Sequence, residues 1–130
     1  MRLRHLIAIA VLPLVSGWAQ ACLFATSTPP EGWYQWANGL FAGDVTALAK
    51  DGQKPVDVIT VRVVETFKGP DATNGTLTVR IPSRNWAACK LELPAAGVRV
   101  LVALNANSEA MLVPLAASYA EQLRAFKPAK

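Results

Sequence analysis

The sequence predicts a mainly β protein, a small Greek-key barrel of five or six short strands followed by a C-terminal helix. Three observations lead there. Val56–Phe67 and Thr76–Ile81 alternate apolar and polar side chains with the period of two that half-buried strands show. Turn signals rich in Gly, Pro and Asn separate the apolar runs at short intervals. Leu115, Tyr119, Leu123 and Phe126 recur at spacings of four, four and three, which is one face of a helix.

The barrel does not begin at residue 1. Met1-Arg2-Leu3-Arg4 is a basic start, Leu6–Val15 is an apolar run of ten, and small residues stand at Ala19 and Ala21. That is the layout of an export signal cleaved after Ala21, so residues 1–21 are expected to leave and 22–130 to form a single domain. The run is too short to span a bilayer, and Pro13 interrupts it. Cleavage removes Arg2, Arg4 and His5, leaving eleven basic and nine acidic residues, a net charge of +2. No histidine remains, which excludes Ser-His-Asp and Cys-His catalysis and histidine-held zinc. So low a charge argues against nucleic acid as a partner. No cofactor and no intrinsic metal site are expected, and the location is secreted or periplasmic.

Cys22 and Cys89 are the only cysteines. In an oxidising compartment they allow one pairing, Cys22–Cys89, and closing so long a loop stabilises by roughly 4 kcal/mol on a chain-entropy argument. The alternatives are two free thiols, or Cys22 carrying a lipid anchor. The second is the lesser reading, because Ala19 stands where a lipidation signal has a long or branched aliphatic residue.

Along the rest of the chain, 26–32 is Pro-rich and polar and reads as an extended connector. Trp33-Tyr34-Gln35-Trp36 follows, either an exposed sugar or peptide platform or, as favoured, the apolar side of a short helix over a barrel end. In Leu40–Leu48, Phe41, Gly43, Val45 and Ala47 share a phase, and Gly43 marks a bend or a close backbone approach. Asp51–Pro55 is a turn. Val56–Phe67 is the clearest strand, and its doublets Val58-Ile59 and Val63-Val64 suit a long coiled strand with a bulge. Asn74-Gly75 is a tight-turn signal. Ser83–Ala88 reads as a loop carrying Arg84 and Trp86. Leu91 and Leu93 suggest a short strand, Val98–Leu104 a strand buried on both faces, and Met111–Val113 a last short strand.

Taken in order, Cys22, Phe41-Ala42-Gly43-Asp44-Val45, Val61–Gly69 with its closing Phe67-Lys68-Gly69, Thr78-Val79-Arg80, Cys89 and Gly97–Val102 resemble the netrin-like module. This is the OB-fold domain of the tissue inhibitors of metalloproteinases and their bacterial relatives. The chain departs from the family at Phe24, where a second cysteine is usual, at Lys90, where a Gly is, and at Val100, where a Tyr is.

The resemblance implies a non-enzymatic module that binds a protein, in its sharpest form a metalloprotease. Its terminal Cys22 would chelate the partner's zinc through the α-amine and carbonyl, with Leu23 entering the protease's side-chain pocket. The alternative is a cell-envelope binding module, periplasmic or lipid-anchored, without inhibitory activity. Candidate contacts are then Trp33, Tyr34, Trp36 and Trp86. The carboxylates Asp44, Asp57, Glu65, Asp71, Glu92, Glu109 and Glu121 form no recognisable acid–base motif. Lys68 reads as a solvated edge charge ahead of an anion contact.

Overall fold

A computed structural model describes residues 28–88, 91–107 and 109–126. The expected signal, Cys22, Leu23 and Cys89 lie outside them, and with them the expected bridge. The described elements run α1 (Pro30–Trp36), β1 (Gly39–Lys50), β2 (Val56–Lys68), β3 (Thr76–Pro82), α2 (Arg84–Ala88), β4 (Arg99–Leu104), β5 (Ala110–Pro114) and α3 (Ala117–Phe126). The strands form one antiparallel sheet in the order β3-β2-β1-β4-β5. After the β1-β2-β3 meander the chain returns to lay β4 beside β1, a Greek-key connection. β3 and β5 are the two ends. They approach each other without pairing, so the sheet curls but does not close.

The mainly β class and the C-terminal helix are present, with five strands. The short strand expected at Leu91 and Leu93 does not form. The Leu91 N–H donates back to the Trp86 carbonyl at 2.7 Å, which closes the end of α2 and uses the donor a ladder would need. Ser83–Ala88 is likewise more than a loop, since Arg84–Ala88 is helical and anchored by the buried Trp86. The connector stops short of Gly32: α1 starts at Pro30, where a missing N–H costs no helical bond.

Two long strands set the curvature. β1 and β2 have 12 and 13 residues, and their register slips at three places. Val64 is the extra residue opposite Ala42/Gly43, and Thr46 the extra one opposite Val61/Thr60. The Val63-Val64 doublet therefore does mark a bulge, and bulges sharpen local twist. Gly43 makes the close approach expected of it: a Cβ there would stand 2.4 Å from Val61 Cγ1 and 2.5 Å from the Arg62 carbonyl oxygen.

The strands bury both faces. Val45, Ile59, Val61, Val79, Ile81, Val100, Val102 and Leu112 fill the concave side with Trp86. Leu40, Ala42, Phe67, Leu101, Ala103 and Val113 face the other way, under Trp33 and Tyr34 of α1 and Ala120 and Leu123 of α3. β4 sends alternate residues to each side, as its unbroken apolar run requires.

The Phe67-Lys68-Gly69 corner has a structural explanation residue by residue. Phe67 is buried on the helix side. Lys68 is not a free edge charge: its Nζ donates to the Tyr34 carbonyl at 2.6 Å, a cation on the last turn of α1. Gly69 has φ +92°, and a Cβ there would meet the Asn38 carbonyl oxygen at 2.9 Å.

Candidate functional site

The expected aromatic contacts are separated by the sheet. Trp33 is 1% exposed in the helix-side core, and Trp36 lies half-buried at its margin. Tyr34 is buried beside Trp33 and donates its hydroxyl to the Leu123 carbonyl at 2.9 Å, tying α1 to α3. Burial raises its pKa, with Glu65 adding to the shift. Trp33 and Tyr34 thus serve as core, and no exposed aromatic platform arises from this segment.

Trp86 belongs to the opposite side, where it meets a buried carboxylate. Its Nε1 donates to Asp57 Oδ2 at 2.8 Å, and Lys50 Nζ lies 2.8 Å from Oδ1. Asp57 is 4% exposed. Burial alone would raise its pKa, but hydrogen bonds from Lys50, Trp86 and Ser83 outweigh it and hold the carboxyl below its ordinary value. A lone buried anion is costly, so this set of donors is what allows Asp57 to sit at the root of α2.

Beside Trp86 the unpaired ends of the sheet leave a cleft. Ile81 of β3, Asn85 and Trp86 of α2, Leu91, and Ala110, Met111 and Leu112 of β5 line about 310 Å³ of space open to solvent. Its walls are apolar apart from Asn85. Leu91, Ala110 and Met111 are only half-buried, although they pack against core residues. The sequence marks none of them as a group. The cleft exists because β3 and β5 curl toward each other, and that juxtaposition has no local signal.

A second hollow, open to solvent, lies between α3 and the helix-side face of the sheet. Ala42, Leu115, Ala116, Ala117 and Ala120 form its apolar walls, and Glu65, Arg99, Glu121 and Arg124 its charged ones. Its charges are largely matched. Arg124 Nε and Nη2 hold both Glu65 oxygens at 2.8–3.0 Å. Arg99 Nε and Nη2 hold Asp44 at 2.5 and 3.2 Å, and those bonds depress the Asp44 pKa. Glu65 thus leaves the inward phase of Ile59, Val61 and Val63 just past the Val64 bulge, as a bulge requires.

Three further carboxylates are engaged locally. Asp51 pairs with Arg80, Asp71 Oδ1 accepts from Thr66 and Thr73, and Glu109 accepts from Asn105. Among the described residues no three His, Cys, Asp or Glu side chains converge as metal ligands. Nor is any described helix long and apolar enough to cross a membrane. The sequence matches no protein-family model and no curated protein.

Proposed function

We propose that residues 22–130 are an exported, non-enzymatic module of netrin-like type that binds a protein partner, a metalloprotease in the sharpest form of the reading. The observation that carries this is topological. The Greek-key order β3-β2-β1-β4-β5, with the two end strands β3 and β5 approaching each other unpaired and α2 between β3 and β4 in the chain, suits a partly open five-stranded barrel of the OB type. The carboxylates support binding over catalysis, because Asp44, Asp51, Asp57 and Glu65 are each engaged by a cation.

On this reading the terminus acts. Signal cleavage after Ala21 frees the α-amine of Cys22, and the Cys22–Cys89 bridge holds it. An α-amine titrates near pH 8, so a neutral fraction exists at pH 7 and a partner's zinc enlarges it. A ligand fixed before encounter loses less freedom on binding. Chain reach is compatible with the bridge. Thr28 accepts a hydrogen bond from Tyr119 on the helix side, and Leu91 packs at the margin of that same core. Thr28 lies six positions after Cys22 and Leu91 two positions after Cys89, and extended chain covers ~3.3 Å per residue.

The test is a pair of proteins. Intact mass and N-terminal sequencing of exported material should give a start at Cys22 and a loss of two hydrogens. That material should slow a zinc metalloprotease, and the same chain with one extra N-terminal Ala should not. Equal inhibition by both, or none by the mature form, overturns the chelating terminus. Partner capture that ignores the extra Ala would instead favour an envelope-binding module.

A further inference from the structure

We propose that the hollow between α3 and the helix-side face of the sheet is a binding site for a small zwitterion, an α-amino acid with an apolar side chain. Such a site needs neither the netrin-like reading nor the Cys22–Cys89 bridge.

Space comes first. The walls leave room for about 340 Å³, within the ~300–1,000 Å³ of small-molecule sites. That room exists because small side chains face one another: Ala42 on β1, and Ala117 and Ala120 on α3, with Leu115 just before the helix. Strand pairing builds one wall. Ala42 stands opposite Glu65 on β2 and Leu101 on β4, and Arg99 lies two residues before Leu101. Helical spacing builds the other, since positions 117, 120, 121 and 124 share one face of α3 and bring two alanines and two charges to the same hollow.

Both signs of charge meet there, and both keep unused bonding capacity. A guanidinium carries five N–H donors. Arg99 uses Nε and Nη2 on Asp44, and Arg124 uses Nε and Nη2 on Glu65, so neither Nη1 has a partner among the described residues. These two-point bonds hold each guanidinium in place before a ligand arrives. Glu121 has no hydrogen-bond or ion-pair partner among the described residues, although Arg124 stands within its electrostatic reach. Asp44 balances Arg99 and Glu65 balances Arg124, which leaves the Glu121 charge uncompensated.

The ligand class follows from that set. A simple anion would meet the Nη1 donors but be repelled by Glu121. A simple amine would meet Glu121 and leave the donors without an acceptor. An α-amino acid answers both from one carbon. Glu121 and Arg124 are one helical turn apart, ~5–6 Å between Cβ atoms, so the ammonium donates to Glu121 while the carboxylate accepts from Arg124 Nη1. Arg99 Nη1 is a further donor from the sheet wall. The side chain is left to the alanine floor, where removal of apolar surface from water sets the preference for an apolar residue.

Exported protein labelled at the alanine methyls reads the site directly. L-Leucine at millimolar concentration should move the Ala42, Ala117 and Ala120 signals and leave Ala110, in the β3/β5 cleft, in place. Isopentylamine, which is leucine without its carboxylate, and isocaproate, which is leucine without its ammonium, should each bind at least ~10-fold more weakly for want of one charge-assisted bond. Glu121→Ala, at an exposed helical position, should erase the preference for leucine over isocaproate. Ala117→Leu, also exposed, fills the floor without touching a charge and should abolish leucine binding. No movement of those three methyls with leucine overturns the proposal. Equal affinity for leucine and either analogue overturns it too, as does a Glu121→Ala protein that keeps the preference. Undiminished binding in a folded Ala117→Leu protein would put leucine elsewhere and overturn it equally.

Discussion

The two sides of this sheet are finished differently. The helix side is covered by two helices: Trp33, Leu40, Leu101 and Leu123 are at most 1% exposed, α1 and α3 are tied together through Tyr34, and the hollow beside α3 is bordered by ion pairs. The concave side is equally dry in the middle, at Ile59, Val61, Val100 and Val102, but it opens at the β3/β5 ends. There a buried carboxylate, not a helix face, holds the capping element. A sheet face covered by a helix needs only apolar matching. A sheet end must also satisfy backbone and termini, which favours polar anchors and leaves gaps.

If that contrast is sound, the largest loss belongs to the helix-covered side. Trp33→Ala should cost ~3–5 kcal/mol in urea unfolding, since its cavity is ringed by packed neighbours. Next comes the anchor. Asp57→Ala leaves the Trp86 indole N–H without its acceptor, a cost of ~1–3 kcal/mol, and should raise hydrogen exchange in α2 before it does so in α3.

A smaller effect is expected in the cleft. Met111→Ala should cost ~1 kcal/mol, below the ~2–5 typical of fully buried sites, because Met111 is half-buried. A loss in the fully buried range would break the comparison at its open end.

Acid should act on the polar anchors. Asp57 and Asp44 both have folded pKa values below the ordinary ~3.9 of an aspartate. Their contribution is therefore present above that value and lost as pH falls through the lower folded one. Stability should hold from neutrality to about pH 5 and decline below about 4, with a shallower decline in Asp57→Asn. Smallest of all, Arg124→Gln should leave the unfolding midpoint within error at physiological salt, because its ion pair with Glu65 is open to water.

Much of the strand pattern was legible, for a local reason. Alternation in β2 and β3 and the unbroken run of β4 report which faces are buried, and the Val63-Val64 doublet reports a bulge where the phase must reset. Asn74 was readable as a turn residue and does adopt φ +69°, though within a longer connection than a two-residue hairpin. What misled was short and context-bound. A five-residue helix such as α2 carries too little periodicity to be seen, and Leu91 looks like a strand residue although its N–H closes that helix.

By itself the sequence determined the class, the long strands and the terminal helix, because each is written in neighbours a few residues apart. Only the tertiary structure decided that Trp33 and Trp86 lie in different cores, that Lys68 serves a helix end, and that Asp57 is buried. Those facts depend on which distant segments meet, and the curl of the sheet that brings β3 toward β5 is a sum of twist and bulges that no single stretch of chain encodes.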